Sequence, residues 1–406
     1  MSNKKSSVYI DRSRITRFLV VVLMVGLAHG LFKGVQDNYL AEIVKINEYE
    51  RGIVEFFREL PGLLLIFIIA TMYRLSETKV FKIGAAITLS GILGLLLFGT
   101  GKIIVVFFMV INSLGEHIIM PVKSSISMNF AKEGKSGASL GITSALDHAG
   151  QIGGYLVVSL LFFLFPYMNV VKGSLKSFKI IFLLATVLLF GATLVVLAMK
   201  DQGIAVKRNR LYFARKFGKY YGLEMFYGAR KQVFMTFAPY VLILHYGADT
   251  LVISLLLAVS AIFGVIFAPL VGKLIDYLGY KIVMVSDTLV LVIVCFFYGF
   301  SHHFFSHQTA FIVVCINYVL DAIISLCAIA SSVYVRDITD DQQEIAATLT
   351  TGISVNHFIS VIIALLGGFI WRLTGIEVLF SLSAVLGIIN SLFAASIKTV
   401  DKTAIS

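Results

Sequence analysis

The sequence predicts an all-α membrane protein with twelve transmembrane helices in two six-helix halves related by a pseudo-twofold axis. Apolar residues make up 58% of the 406 residues and charged residues 14%, whereas soluble proteins average about 45–50% and about 25%. The apolar runs are about 20 residues long, which suits helices that cross about 30 Å of hydrocarbon. Short segments of the first half recur in the second. The period-two alternation of an outer-membrane barrel is missing.

The apolar runs define the spans. They cover residues 15–36, 51–74, 80–100, 103–130, 137–165, 178–199, 219–245, 250–275, 281–300, 308–334, 345–370 and 375–397. With both termini cytoplasmic, most of the 34 lysines and arginines lie on inner loops and tails, as the positive-inside rule requires. Only the outer loop with Lys172, Lys176 and Lys179 runs against it. We therefore expect a multi-pass protein of the cell (plasma or inner) membrane.

A basic segment separates the two halves. Residues 200–218 interrupt the apolar rhythm and read as a cytoplasmic linker between an N-terminal half, 1–199, and a C-terminal half, 219–406. The net charge of +11 lies mainly there and on inner loops, so it indicates membrane topology rather than a nucleic-acid partner.

The halves share three short segments in the same order, which indicates a parallel repeat. Spans 1 and 7, 4 and 10, and 5 and 11 are paired in this way. The matches are Gly30–Lys33 with Gly228–Lys231, Ile111–Glu116 with Ile316–Asp321, and Gly141–His148 with Gly352–His357.

A glycine-rich charged turn lies between spans 8 and 9. It contains Gly272, Asp276, Gly279 and Lys281, and it resembles the signature loop of the major facilitator superfamily of secondary transporters. With the six-plus-six topology, the basic linker and the repeat, the whole chain resembles that family. The resemblance implies a central cavity lined by spans 1, 4, 7 and 10, and alternating access by rocking of the halves. The loop after span 2 departs from the pattern, because Arg74 stands where the family has an acid.

Charged and polar residues within the spans are the candidate site. A charge inside a membrane costs several kcal/mol unless it is paired or hydrated, so each is a functional candidate. Carboxylates in a cavity of low dielectric suit proton exchange. The candidates are Glu116, Asp147, His148 and Asp321 for proton coupling, and Lys33, Asn112, Arg230, Lys231 and Asn317 for substrate binding. The alternative is that Glu116 and Asp321 form permanent ion pairs with Lys33 and Lys231.

Loop charges are candidate gating groups. We expect Asp276 to pair with Arg336 in the outward-open state, and Arg74 with Glu133 at the equivalent place in the other half. Gly272, Gly279 and Lys281 complete this gating set. The alternative is that all these charges are solvated loop residues.

Two further groups of polar residues favour plainer interpretations. Glu55, Arg58 and Glu59 precede a Pro-Gly pair. They read either as an outer gate or, preferably, as a locally neutralised cluster in a wet vestibule. The three histidines of the loop after span 9 read as solvated, because a metal site would need ligands from elsewhere in the chain. These are His302, His303 and His307. We predict no metal and no cofactor.

The sequence thus predicts a secondary active transporter that moves a small polar solute, with an anionic one favoured, by alternating access coupled to protons. A drug or amphiphile efflux antiporter is the first alternative, because Gly150–Gly154 partly matches a glycine-rich antiporter motif of the family. A non-transporting membrane enzyme or receptor on the same fold is the second. No nucleotide-binding loop or nucleophile motif is present, so we predict no enzyme. The expected partners are the solute, protons and the bilayer, and the protein is expected to be a monomer.

Overall fold

The computed structural model describes residues 8–72, 74–201, 212–339 and 342–397. Within these ranges the chain forms α-helices and no β-strand. Both chain ends and residues 202–211 of the predicted linker lie outside the described residues.

The described residues form thirteen α-helices. They are α1 (Arg12–Glu42), α2 (Glu48–Leu63), α3 (Leu65–Thr71), α4 (Glu77–Phe98), α5 (Lys102–Asn129), α6 (Ser136–Leu164), α7 (Leu175–Leu197), α8 (Gly218–Leu244), α9 (Thr250–Leu278), α10 (Tyr280–Phe304), α11 (His307–Ile324), α12 (Ile329–Ile338) and α13 (Gln342–Ala395). A 3₁₀ turn, Ser325–Ala328, joins α11 to α12. The predicted spans coincide with these helices to within a few residues at most ends.

The largest difference is at the end of α1. The predicted span ends at residue 36, but the helix continues to Glu42 and includes the polar run Gln36-Asp37-Asn38. All three polar side chains are buried. Lys33 Nζ lies 3.5 Å from Asp37, and Asn38 donates to Glu42 at 2.7 Å. Because Asp37 and Asn38 each find a partner one turn away, the helix continues through this polar run.

Two helical rods are interrupted. Pro61 lies in the last turn of α2, and the chain breaks at Leu64 before α3 begins. α13 contains a sharp break at Gly375, whose φ of 88° leaves helical geometry. Nine helical segments of the described chain are long and apolar enough to cross a membrane. The protein is therefore a multi-pass membrane protein, and the count of twelve spans stays a prediction.

Contacts divide the described residues into two compact units. Unit 1 contains the described residues of Met1–Lys45, Leu64–Arg208 and Asp249–Ala258, and unit 2 those of Ile46–Leu63, Asn209–Ala248 and Val259–Ser406. These units are not the two sequence halves, because α2 belongs to unit 2 and the start of α9 to unit 1. The division at 1–199, 200–218 and 219–406 stays a prediction.

The same helix pairing occurs in both units. α1 packs against α6 in unit 1, and α8 packs against α13 in unit 2. Gly30 on α1 faces the backbone of Gln151, and Gly228 on α8 faces Asn356. These are the helices that carry the first and third of the repeated segments. The helix pairing therefore agrees with a parallel repeat.

Each unit has an aromatic core at one end of its helices. In unit 1, the ring of Phe18 lies 5.9 Å from that of Phe81 and 6.3 Å from that of Phe130. In unit 2, the rings of Tyr280 and Tyr334 lie 5.6 Å apart. Both clusters are largely buried.

The turn predicted at Gly272–Lys281 is made by Gly279. α9 extends to the residue before it and α10 begins at the residue after it, so Gly272 and Asp276 lie on a helix. Gly279 has a φ of +83°, which side-chain-bearing residues rarely adopt. Its N–H donates to the carbonyl of Ile275 at 2.9 Å. The glycine thus ends one helix and reverses the chain into the next.

Candidate functional site

Glu116 forms a polar cluster within unit 1. Its Oε1 lies 2.9 Å from Nδ1 of His29 on α1 and accepts a hydrogen bond of 3.1 Å from Asn112, one turn earlier on α5. The Glu116 side chain is 24% exposed. The partner of Glu116 is thus a histidine that can itself gain or lose a proton, rather than Lys33 or Lys231.

Asp147 forms a second cluster in unit 1. Its Oδ2 lies 2.8 Å from Nζ of Lys123 on α5 and accepts a longer bond of 3.3 Å from Gln151. Both partners of the ion pair are about one-fifth exposed, at 21% and 18%. His148, the next residue, lies on the exposed side of α6, because adjacent helical residues point about 100° apart.

Arg230 is the centre of the polar site in unit 2. Its Nη1 donates to Oδ2 of Asp287 on α10 at 3.0 Å, and its Nη2 lies 3.8 Å from Oδ1 of Asp321 on α11. The exposed fractions of the three side chains are 4%, 8% and 15%. One cation therefore faces two carboxylates in a buried place, and one carboxylate is held more loosely than the other.

Asp321, the carboxylate farther from Arg230, and Arg230 itself have polar atoms without hydrogen-bond partners among the described residues. Oδ1 of Asp321 and Nε and Nη2 of Arg230 are buried, and none of the three atoms has a hydrogen-bond partner among the described residues. A buried polar atom without a partner costs about 1–3 kcal/mol. The pair between Arg230 and Asp321 is therefore the weaker contact of this site, and it is open to a further hydrogen-bonding group.

The repeat-related asparagines have the same feature. Asn112 and Asn317 are 3% and 4% exposed, and each amide donates one turn along its own helix, to Glu116 and to the carbonyl of Val313. The Oδ1 atoms of both asparagines are buried without a hydrogen-bond partner in the described part of the chain. Each unit thus offers one unused acceptor at an equivalent position.

Two substrate candidates differ in their surroundings. Lys33 is paired with Asp37 at 3.5 Å. Lys231 is partly buried and forms no ion pair with any other described residue. On the preceding turns of the same helix, Glu224 accepts a hydrogen bond of 2.8 Å from Ser331. Of these two lysines, Lys231 is therefore the one whose charge is not paired with a carboxylate of the described residues and could interact with a solute.

A charged cluster on α2 lies within unit 2. Arg51 is fully buried and donates to Glu55 Oε2 at 2.8 Å. Arg58 donates to the same oxygen at 2.9 Å through Nε and also to Glu59. The sequence predicted a neutralised cluster of Glu55, Arg58 and Glu59, and the structure adds Arg51 as a second cation. The expectation of a wet vestibule is wrong for this cluster, because Arg51 and both glutamates are buried.

The α2 cluster is anchored to α8 and α13. Gln232 donates to Glu55 at 3.3 Å, and Nδ1 of His357 lies 2.8 Å from Glu59 Oε2. The guanidinium of Arg51 lies 5.5 Å from the ring centre of Tyr240, where cation–π attraction adds to the charge pairing. The network explains how a helix this charged packs inside a compact unit.

The predicted gating residues lie at helix ends and loops. Lys281 donates to the carbonyl of Ile397 at 2.9 Å, and it thereby caps the end of α13. The four predicted partner charges are exposed, and neither predicted pair is formed among the described residues. They are Arg74 and Glu133 in unit 1, and Asp276 and Arg336 in unit 2. Since these pairs were expected for an outward-open state, they stay predictions.

Sequence reasoning missed two partners of the site. Asp287 is the only acid in its span, and the cost of an intramembrane charge should have marked it. It was overlooked because it has no counterpart among the repeated segments. Lys123 was not among the candidates, although it lies on α5 and pairs with Asp147.

Comparison with known proteins finds a family similarity in the C-terminal part of the chain. Residues 221–405 match the family model described as Major Facilitator Superfamily, so this part of the chain is similar to that family. No curated protein sequence matches the chain.

Solved structures share the fold over nearly the whole chain. The nucleoside transporter NupG has a TM-score of 0.71 at 15% identity, with 94% of this chain and 99% of that chain covered. A POT family transporter in complex with 5-aminolevulinic acid has a TM-score of 0.74 at 13% identity, with 93% of this chain and 94% of that chain covered. A bacterial homologue of the iron transporter ferroportin has a TM-score of 0.73 at 14% identity, with 95% of this chain and 100% of that chain covered. The chain thus has the fold of transporters for chemically different solutes.

Proposed function

We propose that the protein is a proton-coupled secondary transporter that moves a small polar solute by alternating access. The observation that carries the proposal is the pairing of Arg230 with two carboxylates. One guanidinium charge offsets one carboxylate charge, so the second carboxylate adds a net negative charge to a buried place. Binding a proton removes that charge and releasing the proton restores it, so the site can couple proton movement to substrate binding.

Asp321 is the proposed proton carrier. It is the carboxylate at the longer distance, 3.8 Å, and its Oδ1 has no hydrogen-bond partner among the described residues. Protonation of Asp321 would leave Arg230 paired with Asp287 at 3.0 Å. Arg230 therefore need not lose all its partners during the cycle, which would cost about 3–5 kcal/mol for a buried charge.

The solute is proposed to carry hydrogen-bond donors. The Oδ1 atom of Asn112 in unit 1 and, separately, that of Asn317 in unit 2 are free acceptors, and a solute that leaves such a buried atom unpaired is bound less well. An anionic group on the solute would be attracted by Lys231. Similarity to a nucleoside transporter and to a transporter seen with 5-aminolevulinic acid supports a small polar solute. We also propose a monomer with both termini in the cytoplasm.

Transport into proteoliposomes tests the proposal. A thermal-shift screen of nucleosides, dipeptides and amino acids on the purified protein supplies the first solute to assay. In Asp321→Asn, counterflow of that solute should persist, whereas accumulation driven by a pH gradient should fall to the level of empty vesicles. Glu116→Gln is the matched variant in unit 1. A stable Asp321→Asn protein that still accumulates solute would overturn the role of Asp321.

A further inference from the structure

Four of the eight histidines of the chain gather at one end of unit 2. His302 and His303 lie in the last turn of α10, His245 follows α8, and His307 starts α11. The rings of His302 and His303 have centroids 4.0 Å apart, and the ring of His245 lies 4.8 Å from that of His302. The transport proposal uses none of these residues.

A carboxylate from another helix completes the group. Oε1 of Glu377 lies 3.1 Å from Nε2 of His302 and 3.1 Å from Nε2 of His303. The candidate ligand atoms of the three residues lie within 4.8 Å of one another. Glu377 comes two residues after the break in α13, about 75 residues along the chain from the histidines. As noted from the sequence, a metal site at these histidines would need a further ligand from elsewhere in the chain. Glu377 is such a ligand.

The backbone next to Glu377 is shaped around its carboxylate. Gly375 has a φ of +88°, and a Cβ on it would lie 2.5 Å from Glu377 Oε2. A glycine is therefore needed both for the chain direction and for the space that the carboxylate fills. In addition, Nδ1 of His302 is buried without a hydrogen-bond partner among the described residues. Hydrogen bonding within the group thus leaves one imidazole incompletely satisfied.

We propose that His302, His303 and Glu377 bind a divalent transition-metal ion of the Zn²⁺ type. Two imidazoles and one carboxylate are a known Zn²⁺ ligand set, with bonds of about 2.0–2.2 Å and an open fourth position. Two ligand atoms at such distances in tetrahedral geometry lie about 3.3 Å apart, close to the 3.1 Å between each histidine and Glu377. Nitrogen ligands favour transition metals over Mg²⁺ or Ca²⁺.

The exposure of the group suits exchange with ions in solution. The side chains of His302, His303 and Glu377 are 21%, 54% and 30% exposed, so the ligands are held by packing on one side and reached by water on the other. A bound ion would tie the end of α10 to the second segment of α13. The alternative is a group of histidines that only hydrogen-bond to a carboxylate.

Measurement of metal binding to the purified full-length protein distinguishes a metal site from a group of histidines that only hydrogen-bond to Glu377. We expect one Zn²⁺ per chain by equilibrium dialysis and a higher thermal midpoint with Zn²⁺ than with Mg²⁺. His303→Gln and Glu377→Gln should each weaken Zn²⁺ binding at least about tenfold, since loss of even an outer-shell partner costs about 10–100-fold. His307→Gln removes a neighbouring histidine outside the three ligands and should keep the affinity.

Two results would overturn the proposal. One is the absence of saturable Zn²⁺ binding by the wild-type protein. The other is binding that His303→Gln and Glu377→Gln leave unchanged, because the ion would then sit elsewhere. Both substitutions are at exposed or partly exposed positions, where a change of side chain disturbs folding little. The thermal midpoint without metal checks that each variant is folded. Neither readout depends on transport, so the result is separate from that of the Asp321→Asn experiment.

Discussion

At the scale of single residues, the unequal pairing of Arg230 decides the behaviour of the site. The carboxylate of Asp287 is hydrogen-bonded at 3.0 Å and 8% exposed, whereas Asp321 is only in ion-pair contact at 3.8 Å. Coulomb attraction alone changes little between these distances. We propose that this hydrogen bond distinguishes Asp287, as a structural acid, from Asp321, as an exchangeable one.

The two acids should therefore differ in their effect on stability. Asp287→Ala removes the hydrogen-bonded partner of a buried guanidinium and should cost about 3–5 kcal/mol. Asp321→Asn keeps that partner and a polar side chain of the same size, and should cost under about 1.5 kcal/mol. Thermal midpoints in one detergent measure the difference. Equal losses in the two variants would show that both acids are structural.

A residue in the first turn of α13 gives a second prediction, on pH. Hydrogen bonds from Lys216, Thr339 and Tyr212 lower the pKa of Glu344 from 4.5 to about 2. A lowered pKa means that the contribution of Glu344 to stability is present above pH 4.5 and is lost as the pH falls toward 2. The difference in thermal midpoint between wild type and Glu344→Gln should be constant from pH 5 to 7, then shrink on acidification. A difference that does not change with pH would contradict the pairing.

At the scale of helices, the close contact between α2 and α13 depends on glycine. A Cβ on Gly52 would lie 2.3 Å from the carbonyl oxygen of Ala364, and Gly368 faces the backbone of α2 in the same way. The two helices approach closely through small residues, as membrane helices commonly do. This contact brings the α2 cluster within reach of its partners on α13.

Gly52→Ala should therefore destabilise the protein by about 1–3 kcal/mol, the usual cost of overpacking. Gly264→Ala is the matched control on α9, because nothing lies within 4 Å of the added methyl group. That change should be neutral or stabilising by up to about 1 kcal/mol, since alanine is the better helix former. Thermal unfolding of both variants in detergent gives the comparison. A Gly52→Ala protein as stable as Gly264→Ala would mean that the α2–α13 contact is not made.

The elements were largely predictable from sequence, and the partners within the site were not. Apolar length fixes where helices run, because each must satisfy its backbone across about 30 Å of hydrocarbon. Polar residues near a helix end do not stop it when they pair one turn away, as Lys33 and Asp37 do. The pairing of Arg230 with Asp287 depends on how α8 packs against α10, and the sequence of one span does not predict that packing.

At the scale of the whole molecule, the fold agrees with the sequence. The repeat of short segments, the glycine turn and the long apolar helices together indicated a Major Facilitator Superfamily transporter, and residues 221–405 match the model of that family. The compact units cut across the sequence halves, because α2 packs with α8 and α13. The grouping of α2 with α8 and α13 results from side-chain pairing between helices that are distant in the sequence, and amino-acid composition does not predict such pairing.

The central claim is that Asp321 takes up and releases a proton. Infrared difference spectroscopy of the purified protein at two pH values detects this event directly, through the carbonyl band of a protonated carboxylic acid. We predict a band in the wild type that is absent in Asp321→Asn and retained in Glu116→Gln. A wild-type band that persists unchanged in Asp321→Asn would contradict the account, since another acid would then carry the proton.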